Sequence, residues 1–290
     1  LAQLIGVPFT QEVVCVSEAL QDYAPQTDVA IELGGEDAKI IYFTNGIEQR
    51  MNGVCAGGTG SFIDQMASLL QTDAAGLNEL AKNYETIYPI ASRCGVFAKT
   101  DIQPLINEGA AREDIAISIF QAVVNQTISG LACGKPIRGK VAFLGGPLYF
   151  LDQLRTRFIE SLNLKDEDVI FPQNSQLFVA MGACLLARED KVNQTSIDQL
   201  VTILESLKDG ISDETDTLKP LFETEEDRIE FRNRHYRTKV KKRDLNTYQG
   251  KAFLGVDVGS TTSKAVLVDE DGSVLYTFYS SNEGNPIEVV

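Results

Sequence analysis

Residues Asp28–Phe43, DVAIELGGEDAKIIYF, decide the fold of this chain. Two runs rich in β-forming residues flank a Gly-Gly turn, and this pattern predicts a β-hairpin with acidic residues at its turn. Further along, KVAFL at 140–144 predicts a buried strand that ends at Gly145, and DVIF at 168–171 predicts another short strand. This part of the chain therefore contains four predicted strands.

Helical patterns separate these strands. Apolar residues recur at helical spacing over 62–70 and over 115–131, and helices are also predicted from Leu151 and around 180–187. Strands that alternate with helices are typical of an α/β domain. The sequence therefore predicts the α/β fold class.

Composition argues against several classes of protein. The 290 residues include 26 basic and 41 acidic side chains, and the net charge of −15 argues against binding to nucleic acid or to an anionic membrane surface. No apolar stretch reaches the roughly 18 to 20 residues that span a bilayer. The first residues also lack the basic start of a signal peptide. These features predict a cytoplasmic protein without a membrane partner.

Five cysteines are spread along the chain without compact spacing, which fits reduced thiols or metal ligands better than a disulfide framework. Cys15, Cys133 and Cys184 lie among small or apolar neighbours and are expected to be small core residues. Cys55 and Cys94 lie in different surroundings, in NGVCAGGTGSF and SRCGVFAKTDI. These two cysteines are therefore the candidates for chemistry.

The glycine-rich segment after Cys55 predicts a place where a ligand approaches the backbone. Gly57, Gly58 and Gly60 carry no side chain, and a helix beginning near Ser61 would direct free N–H groups and its positive dipole end there. A phosphate or a thiolate-ligated cluster of net negative charge suits such a site. Zinc fits less well, because neither cysteine has a close CxxC partner or a nearby histidine. Two buried structural cysteines remain the alternative.

From about residue 190 to residue 249 the chain is rich in charge, which predicts a solvated helical connector. His235, the only histidine, lies in this connector and is expected to be an exposed helix residue without a catalytic role. Residues 251–279 are β-rich with two short turns, which predicts a three-stranded meander.

The first turn of the meander is a second candidate site, in GVDVGSTTSKAVLVD at 255–269. Asp257 lies in an apolar strand, and a buried acid must be paired or bind a cation. The backbone amides of the turn that follows can cradle phosphate oxygens, and Lys264 on the returning strand can add positive charge. An ordinary hairpin with a polar tip is the alternative.

Three of these motifs together resemble a known superfamily. GVDVGSTTSKAVLVD, ELGGEDAK and AFLGGPLYFL resemble the first phosphate, second phosphate and adenosine motifs of the acetate kinase, sugar kinase, Hsp70 and actin superfamily. With the two cysteine segments added, the chain resembles the activator family of 2-hydroxyacyl-CoA dehydratases, which is grouped with the ATPase subunits of benzoyl-CoA reductase. The resemblance covers residues 1–190 and 251–290. It implies an actin-like (ribonuclease H-like) α/β ATPase fold.

The resemblance implies a site for ATP or ADP with Mg²⁺. The catalytic candidates are Glu36, Asp37 and Asp257, as acids that hold Mg²⁺ or orient the attacking water. Many members of the family carry Gln where this chain has Glu36, and a carboxylate can still accept a hydrogen bond from water. The residues implied to bind the nucleotide are Glu32, Gly34, Gly35, Lys39, Gly57, Gly58, Thr59, Gly60, Gly145, Gly146, Pro147, Gly259, Ser260, Thr261, Thr262 and Lys264.

The resemblance also implies a [4Fe-4S] cluster with Cys55 and Cys94 as ligands. A cubane cluster generally takes four thiolates, and each chain offers two in suitable contexts, so a homodimer or an intramolecular pair of modules is implied. The implied partners are a low-potential electron donor and an acyl-CoA dehydratase or reductase component.

The order of the motifs is unusual, because the first phosphate motif opens the domain in this superfamily and here follows the other two. A β segment of about 40 residues cannot build its own core. We therefore expect an excerpt of a longer protein with two tandem activator-like modules, an incomplete first module followed by the initial meander of a second. The meander is expected to pair with an incomplete sheet of this or another chain. The expected divisions are 1–27, the end of the first subdomain; 28–189, the second ATPase subdomain with the cysteine pair; 190–249, the connector; and 250–290, the start of the second module.

The function implied by the resemblance is ATP-dependent electron transfer. ATP binding and hydrolysis would drive a conformational change that lets the cluster pass one low-potential electron to the acyl-CoA enzyme, in an anaerobic setting. Two alternatives remain. A small-molecule kinase of the same superfamily, acting on a sugar or amino sugar, would need no cluster, and a non-catalytic regulatory module would bind nucleotide without turnover.

Overall fold

The chain forms two compact units. A computed structural model describes residues 2, 6–44, 46–53, 57–92, 94–189, 196–208, 218–259, 261–282 and 285–289. Two candidate site residues, Cys55 and Ser260, lie outside these described residues. The larger unit comprises 10–192 with 259–262 and 281–290, and the smaller comprises 1–9, 193–258 and 263–280.

A mixed five-stranded sheet forms the centre of the larger unit. Its strands are β1 (Val29–Leu33), β2 (Ala38–Tyr42), β3 (Glu48–Met51), β4 (Val141–Leu144) and β5 (Val169–Ile170). They lie in the order β3-β2-β1-β4-β5. The first three strands pair antiparallel, whereas β4 pairs parallel with both β1 and β5. The predicted hairpin and the two later strands are therefore confirmed.

Helices of the larger unit surround the sheet, and four of the helical stretches were predicted from the sequence. They are α1 (Glu12–Tyr23), α2 (Gly60–Leu69), α3 (Ala74–Ala81), α4 (Gly95–Asn107), α5 (Arg112–Asn125), α6 (Gly146–Phe150), α7 (Asp152–Ser161) and α8 (Phe178–Glu189). A π-helical turn, Gln126–Leu131, continues α5. The four predicted helical stretches, at 62–70, 115–131, from 151 and at 180–187, are thus confirmed.

The sheet has a separate apolar core on each face. Alternation along β1 directs Val29, Ile31 and Leu33 towards the core shared with α2 to α5 and α7, and Ala30 towards the core shared with α1 and α8. Helices α1 and α8 pack against each other so closely that a Cβ at Gly182 would overlap a backbone carbonyl of α1. The result is a three-layered α/β arrangement.

The smaller unit contains the connector helices α9 (Ile197–Lys208) and α10 (Glu225–Tyr236). Its sheet consists of β6 (Ala252–Val258), β7 (Thr262–Asp269) and β8 (Val274–Ser281), in that order. A short last helix, α11 (Pro286–Val289), follows. The predicted meander and the predicted solvated connector are confirmed in the described residues, and His235 is an exposed residue of α10.

The surroundings of three cysteines were predicted with mixed success. Cys15 is buried in α1, as expected, but Cys133 and Cys184 are exposed, so the prediction that they are core residues is wrong. Cys133 lies in the turn after the π-helical segment with a φ of +46°, and Cys184 lies on the outward side of α8. Among the described helices, none combines the length and the apolar character needed to cross a bilayer.

Candidate functional site

The turn between β1 and β2 is closed by its own backbone. Gly34 donates its N–H to the carbonyl of Asp37 at 2.8 Å. A Cβ at Gly34 would overlap an oxygen of the Asp37 carboxylate, so a larger residue would push that side chain aside. Glu36 is exposed at the tip and Asp37 is half-buried. The second phosphate motif therefore forms a tight, acidic turn at the carboxyl end of β1.

A buried lysine gathers three carboxylates beside this turn. Lys39 is 1% exposed and stands opposite Glu32 in the β1–β2 register. Its Nζ lies 2.9 Å from a Glu12 oxygen and 3.6 Å from Glu32 Oε2, and it also donates a hydrogen bond to Asp37. Glu12 belongs to the first turn of α1. One buried positive charge thus lies beside three carboxylates, of which Glu32 is buried and Glu12 and Asp37 reach solvent.

Burial and charge shift the pKa values of this pair. Burial raises the pKa of Glu32 to about 7, although the attraction of Lys39 opposes this. Burial lowers the pKa of Lys39, but the charge of Glu32 and the hydrogen bonds to Asp37 and Glu12 outweigh burial, so the pKa is raised. Glu32 Oε2 is buried and makes no hydrogen bond within the described structure. A buried carboxylate oxygen of this kind fits a magnesium ion, or a water bound to one.

Helix α2 begins against the acidic turn. Gly60 and Ser61 donate their N–H groups to the carbonyls of Gly34 and Gly35, at 2.9 and 2.7 Å. The prediction that these N–H groups are free for an anion is therefore wrong. The physical reason is close packing, because the Cα of Gly60 approaches the turn so nearly that a Cβ there would lie 3.2 Å from Gly34 O. Backbone hydrogen bonds thus attach the first residues of α2 to the acidic turn.

The adenosine motif lies beside the end of β1. Gly145 has a φ of +88°, and a Cβ there would overlap the carbonyl of Leu33, so the position requires glycine. Its N–H donates to the carbonyl of Ser175 at 3.2 Å. Gly146 opens α6, with Pro147 in its first turn. The fold therefore brings the adenosine motif and the second phosphate motif together at the carboxyl ends of β1 and β4.

Cys94 caps the amino end of α4. It has an extended backbone and is half-buried. The backbone N–H groups of Phe97 and Val96 in the first turn lower the pKa of its thiol. A thiolate at such a position is suited to ligate iron, and this donor chemistry fits a cluster that takes its other ligands from further cysteines. Cys55, the predicted second ligand, lies outside the described residues.

Helix α2 also reaches the residue after Cys94. A Cβ at Gly95 would lie 3.1 Å from Gln65 Oε1 and 3.6 Å from Met66 Cε. Both side chains belong to α2, whose first residue is hydrogen-bonded to the acidic turn. The described structure therefore connects the second phosphate motif to the start of α4 through one helix.

The first phosphate motif forms a hairpin of the same kind on the other sheet. Asp257 and Lys264 are register partners with an ion pair of 3.0 Å, as Glu32 and Lys39 are partners in β1 and β2. Gly259 donates to the carbonyl of Thr262 at 3.0 Å, which repeats the closure of the acidic turn.

Asp257 itself differs from the prediction. It was expected to be a buried acid, but its side chain is 72% exposed, because β6 is an edge strand with exposed residues throughout. It pairs with Lys264, a contact that was not predicted from the sequence.

No group of three or more His, Cys, Asp or Glu side chains in the described ranges is arranged to hold a metal ion.

Gly57, Gly58 and Thr59 form a buried turn before α2. Gly58 has a φ of +83° and packs against Gln126 of the π-helical turn.

A family model matches residues 5–187, which span the five-stranded sheet and its helices. The chain belongs to the BadF/BadG/BcrA/BcrD ATPase family. Its α/β, actin-like fold is the one that the sequence predicted. Apart from residues 5–9, the smaller unit lies outside the matched residues.

Three of the curated relatives that match this chain are named as activators of 2-hydroxyacyl-CoA dehydratases. The 2-hydroxyisocaproyl-CoA dehydratase activator of Clostridioides difficile is 30% identical over 62% of this chain and 66% of its own length, so this chain spans just under two thirds of that relative. Among solved structures, component A of the Acidaminococcus fermentans (R)-2-hydroxyglutaryl-CoA dehydratase is 29% identical, covers 63% of this chain and 71% of its own, and has a TM-score of 0.57. The Clostridium difficile activator with bound ADPNP is 26% identical, covers 73% and 72%, and has a TM-score of 0.56.

Several residues of the site were not found from sequence. Glu12 binds Lys39 from α1, a helix that was not predicted from the sequence. Asp101, Asp114 and Ser118 bond the backbone that leads to Cys94. Asp114 could have been noticed as an acid inside the apolar pattern of α5, whereas the other two carry no local signal.

Proposed function

We propose that this chain is part of an ATP-dependent activator. In this proposal it passes a low-potential electron through a [4Fe-4S] cluster to a 2-hydroxyacyl-CoA dehydratase or an acyl-CoA reductase. The relatives whose names support this are activators of 2-hydroxyacyl-CoA dehydratases. A cytoplasmic, anaerobic setting belongs to the same proposal.

The observation that carries the proposal is the link between the acidic turn and Cys94. Gly60 and Ser61 tie the start of α2 to the turn, and Gln65 and Met66 on the same helix contact the start of α4. The contacts at residues 60–61 and at residues 65–66 lie less than two turns apart on this one helix, so a rigid-body shift of α2 would move both. A movement of the turn on nucleotide binding would therefore reach the cysteine.

We assign nucleotide binding to the adenosine motif, the second phosphate motif and the buried carboxylate of Glu32. A side chain at Gly146 would meet nothing within 4 Å, so this glycine leaves room for a nucleoside at the backbone, and the acidic turn would face its phosphates with Mg²⁺. Glu32 supplies a buried oxygen for that ion, and Lys39 holds the acids in place. A relative with bound ADPNP supports nucleotide binding at this fold.

The electron-transfer end is assigned to Cys94 together with Cys55. An iron–sulfur cluster would supply one-electron redox chemistry at low potential. Cys94 is suited to hold it, because its helix position favours the thiolate. Two chains, or two modules, would complete the four thiolates.

Anaerobic iron and sulfide reconstitution tests the proposal. We expect wild-type protein to gain a broad visible absorption and, after reduction, an EPR signal, and we expect Cys94→Ser and Cys55→Ser to lose both. Cys133→Ser and Cys184→Ser are matched controls, since both thiols are exposed and lie elsewhere. Absence of iron uptake by wild type, or equal uptake by Cys94→Ser, would reject the electron-transfer role.

The small-molecule kinase and the non-catalytic nucleotide-binding module remain the competing functions, and turnover separates them. An activator should hydrolyse ATP without a phosphate acceptor, and Glu32→Gln should slow this hydrolysis. Glu48→Gln is the control, because Glu48 is an acid at the opposite end of the same sheet. Phosphorylation of a sugar by iron-free protein would favour the kinase, and ATP binding without turnover would favour the module.

A further inference from the structure

The backbone that leads to Cys94 has no regular secondary structure. Residues 84–91 form neither helix nor strand and run between α3 and α4. Tyr84, Ile87 and Ile90 contact the core on one side, and only Ile90 of the segment is fully buried. A segment without a ladder of backbone hydrogen bonds needs other acceptors for its N–H groups.

Three side chains provide those acceptors. Asp114 Oδ1 accepts from the N–H groups of Glu85 and Thr86, at 2.7 and 2.9 Å. Ser118 Oγ accepts from Tyr88 at 2.8 Å. Because Asp114 and Ser118 are one turn apart on α5, they hold the first half of the segment along one rigid helix.

The third acceptor lies next to the cysteine. Asp101 Oδ2 accepts from the N–H of Ala91 at 2.7 Å, and Ala91 precedes Cys94 by three residues. Asp101 belongs to α4, the helix that Cys94 caps. The approach to Cys94 is therefore fixed to α5 at its beginning and to α4 at its end.

Two of these acceptors are buried polar side chains, although an apolar side chain would pack at the same positions without a desolvation cost. Asp114 is 7% exposed and Ser118 is fully buried, and a buried carboxylate is stable only when it is hydrogen-bonded. Both of the N–H groups that Asp114 accepts belong to this segment.

We propose that Asp101, Asp114 and Ser118 are positioning residues that set the orientation of Cys94 for iron ligation. They act through the backbone of residues 85–91 and do not touch the metal. The inference rests on the proposed function, because that function makes Cys94 an iron ligand. The orientation of the thiol can be measured without any metal.

The first test measures thiol reactivity in the iron-free full chain. A pulse of maleimide followed by mass spectrometry of the Cys94 peptide gives its alkylation rate, and hydrogen exchange reports the amides of 85, 86, 88 and 91. We expect Asp101→Ala to raise exchange at Ala91 and Ser118→Ala to raise exchange at Tyr88. We expect each to change the Cys94 rate by about threefold or more. Asp101→Asn should stay near wild type, because its amide oxygen still accepts from Ala91.

Asp28→Ala is the matched control. Asp28 Oδ2 accepts from the backbone N–H of Lys140 at 2.8 Å, so it makes the same type of bond in the same unit, but ahead of β4. Its loss should raise exchange at Lys140 and leave the Cys94 rate unchanged. An equal change of that rate in Asp28→Ala would mean general loosening and would overturn the proposal.

Two other results also overturn it. Exchange that rises while the Cys94 rate stays at the wild-type value would mean that the segment does not orient the thiol. Exchange that does not rise would mean that the three side chains do not hold the segment. Asp114→Ala can fail to fold, and the two milder variants decide the question in that case.

The iron-loaded protein gives a separate readout. At equal iron content, Asp101→Ala should alter the EPR line shape and shorten iron retention under a chelator, and Asp101→Asn should restore both. If wild type binds no iron, the proposed function fails, but the thiol measurements still decide whether these residues orient Cys94.

Discussion

At the scale of single residues, Glu32 makes stability depend on pH. Its pKa is about 7 in the folded chain and 4.5 for an ordinary solvated Glu, so the folded state binds more protons between these values. The free energy of unfolding should therefore fall as pH rises from 4.5 to 7, by about 3 kcal/mol at most. Denaturant unfolding of wild type and Glu32→Gln across this range, with a chelator present, measures the difference.

The difference between the two proteins isolates this effect from other titrating groups. Glu32→Gln should lose the decline, and its advantage over wild type should be largest above pH 7. Glu36→Gln is the control, because Glu36 is exposed and should follow the wild-type curve. A wild-type curve parallel to that of Glu32→Gln would contradict the assigned pKa.

Two adjacent glycines offer a matched pair in the adenosine motif. Gly145→Ala must tolerate a φ of +88° and an overlap with the carbonyl of Leu33, and should lose about 2 to 4 kcal/mol. Gly146 has open space and opens α6, so Gly146→Ala should stay within about 1 kcal/mol of wild type. Thermal and denaturant unfolding compare them. Equal losses would mean that Gly145 is not held against β1.

At the scale of elements, the contact between α1 and α8 depends on one glycine. Alanine normally stabilises a helix interior by about 1 kcal/mol relative to glycine. At Gly182 its Cβ would overlap the carbonyl of Cys15, so Gly182→Ala should instead destabilise by about 1 to 3 kcal/mol. Ala183→Gly, on the exposed side of α8, should cost only the helix propensity. A stabilised Gly182→Ala would show that the helices can separate freely.

The elements that could be predicted from the sequence are those encoded by residues close together in the chain. Alternation and helical spacing are local, so the strands around Gly34 and the helix after Gly60 could be predicted. The stretch around Cys184, FVAMGACLLA, is small or apolar on every side, so its pattern does not single out the covered face, and for that reason Cys184 was misplaced. The bond from Asp101 to Ala91 and the bonds from the start of α2 to the acidic turn join residues that lie ten or more positions apart, and no local pattern encodes such pairs.

At the scale of the whole molecule, the apolar cores lie within the larger unit. Both clusters of buried residues fall between residues 16 and 178. A fragment of residues 10–192 should therefore unfold cooperatively, with most of the denaturant dependence of the full chain. Comparison of the two m-values by circular dichroism measures this. A fragment without a cooperative transition would mean that the smaller unit is needed to complete the fold.

The stoichiometry of iron tests the assembly that the proposed function requires. Each chain is assigned two cysteine ligands and a [4Fe-4S] cluster takes four, so reconstituted protein should hold about two irons per chain and double its mass. Anaerobic gel filtration with light scattering and iron analysis measures both quantities. Cys94→Ser should remain at the mass of the iron-free chain, whereas Cys133→Ser should double in mass like wild type. Four irons bound to one chain that keeps its mass would mean that a single chain supplies the whole ligand set, and would reject the shared cluster.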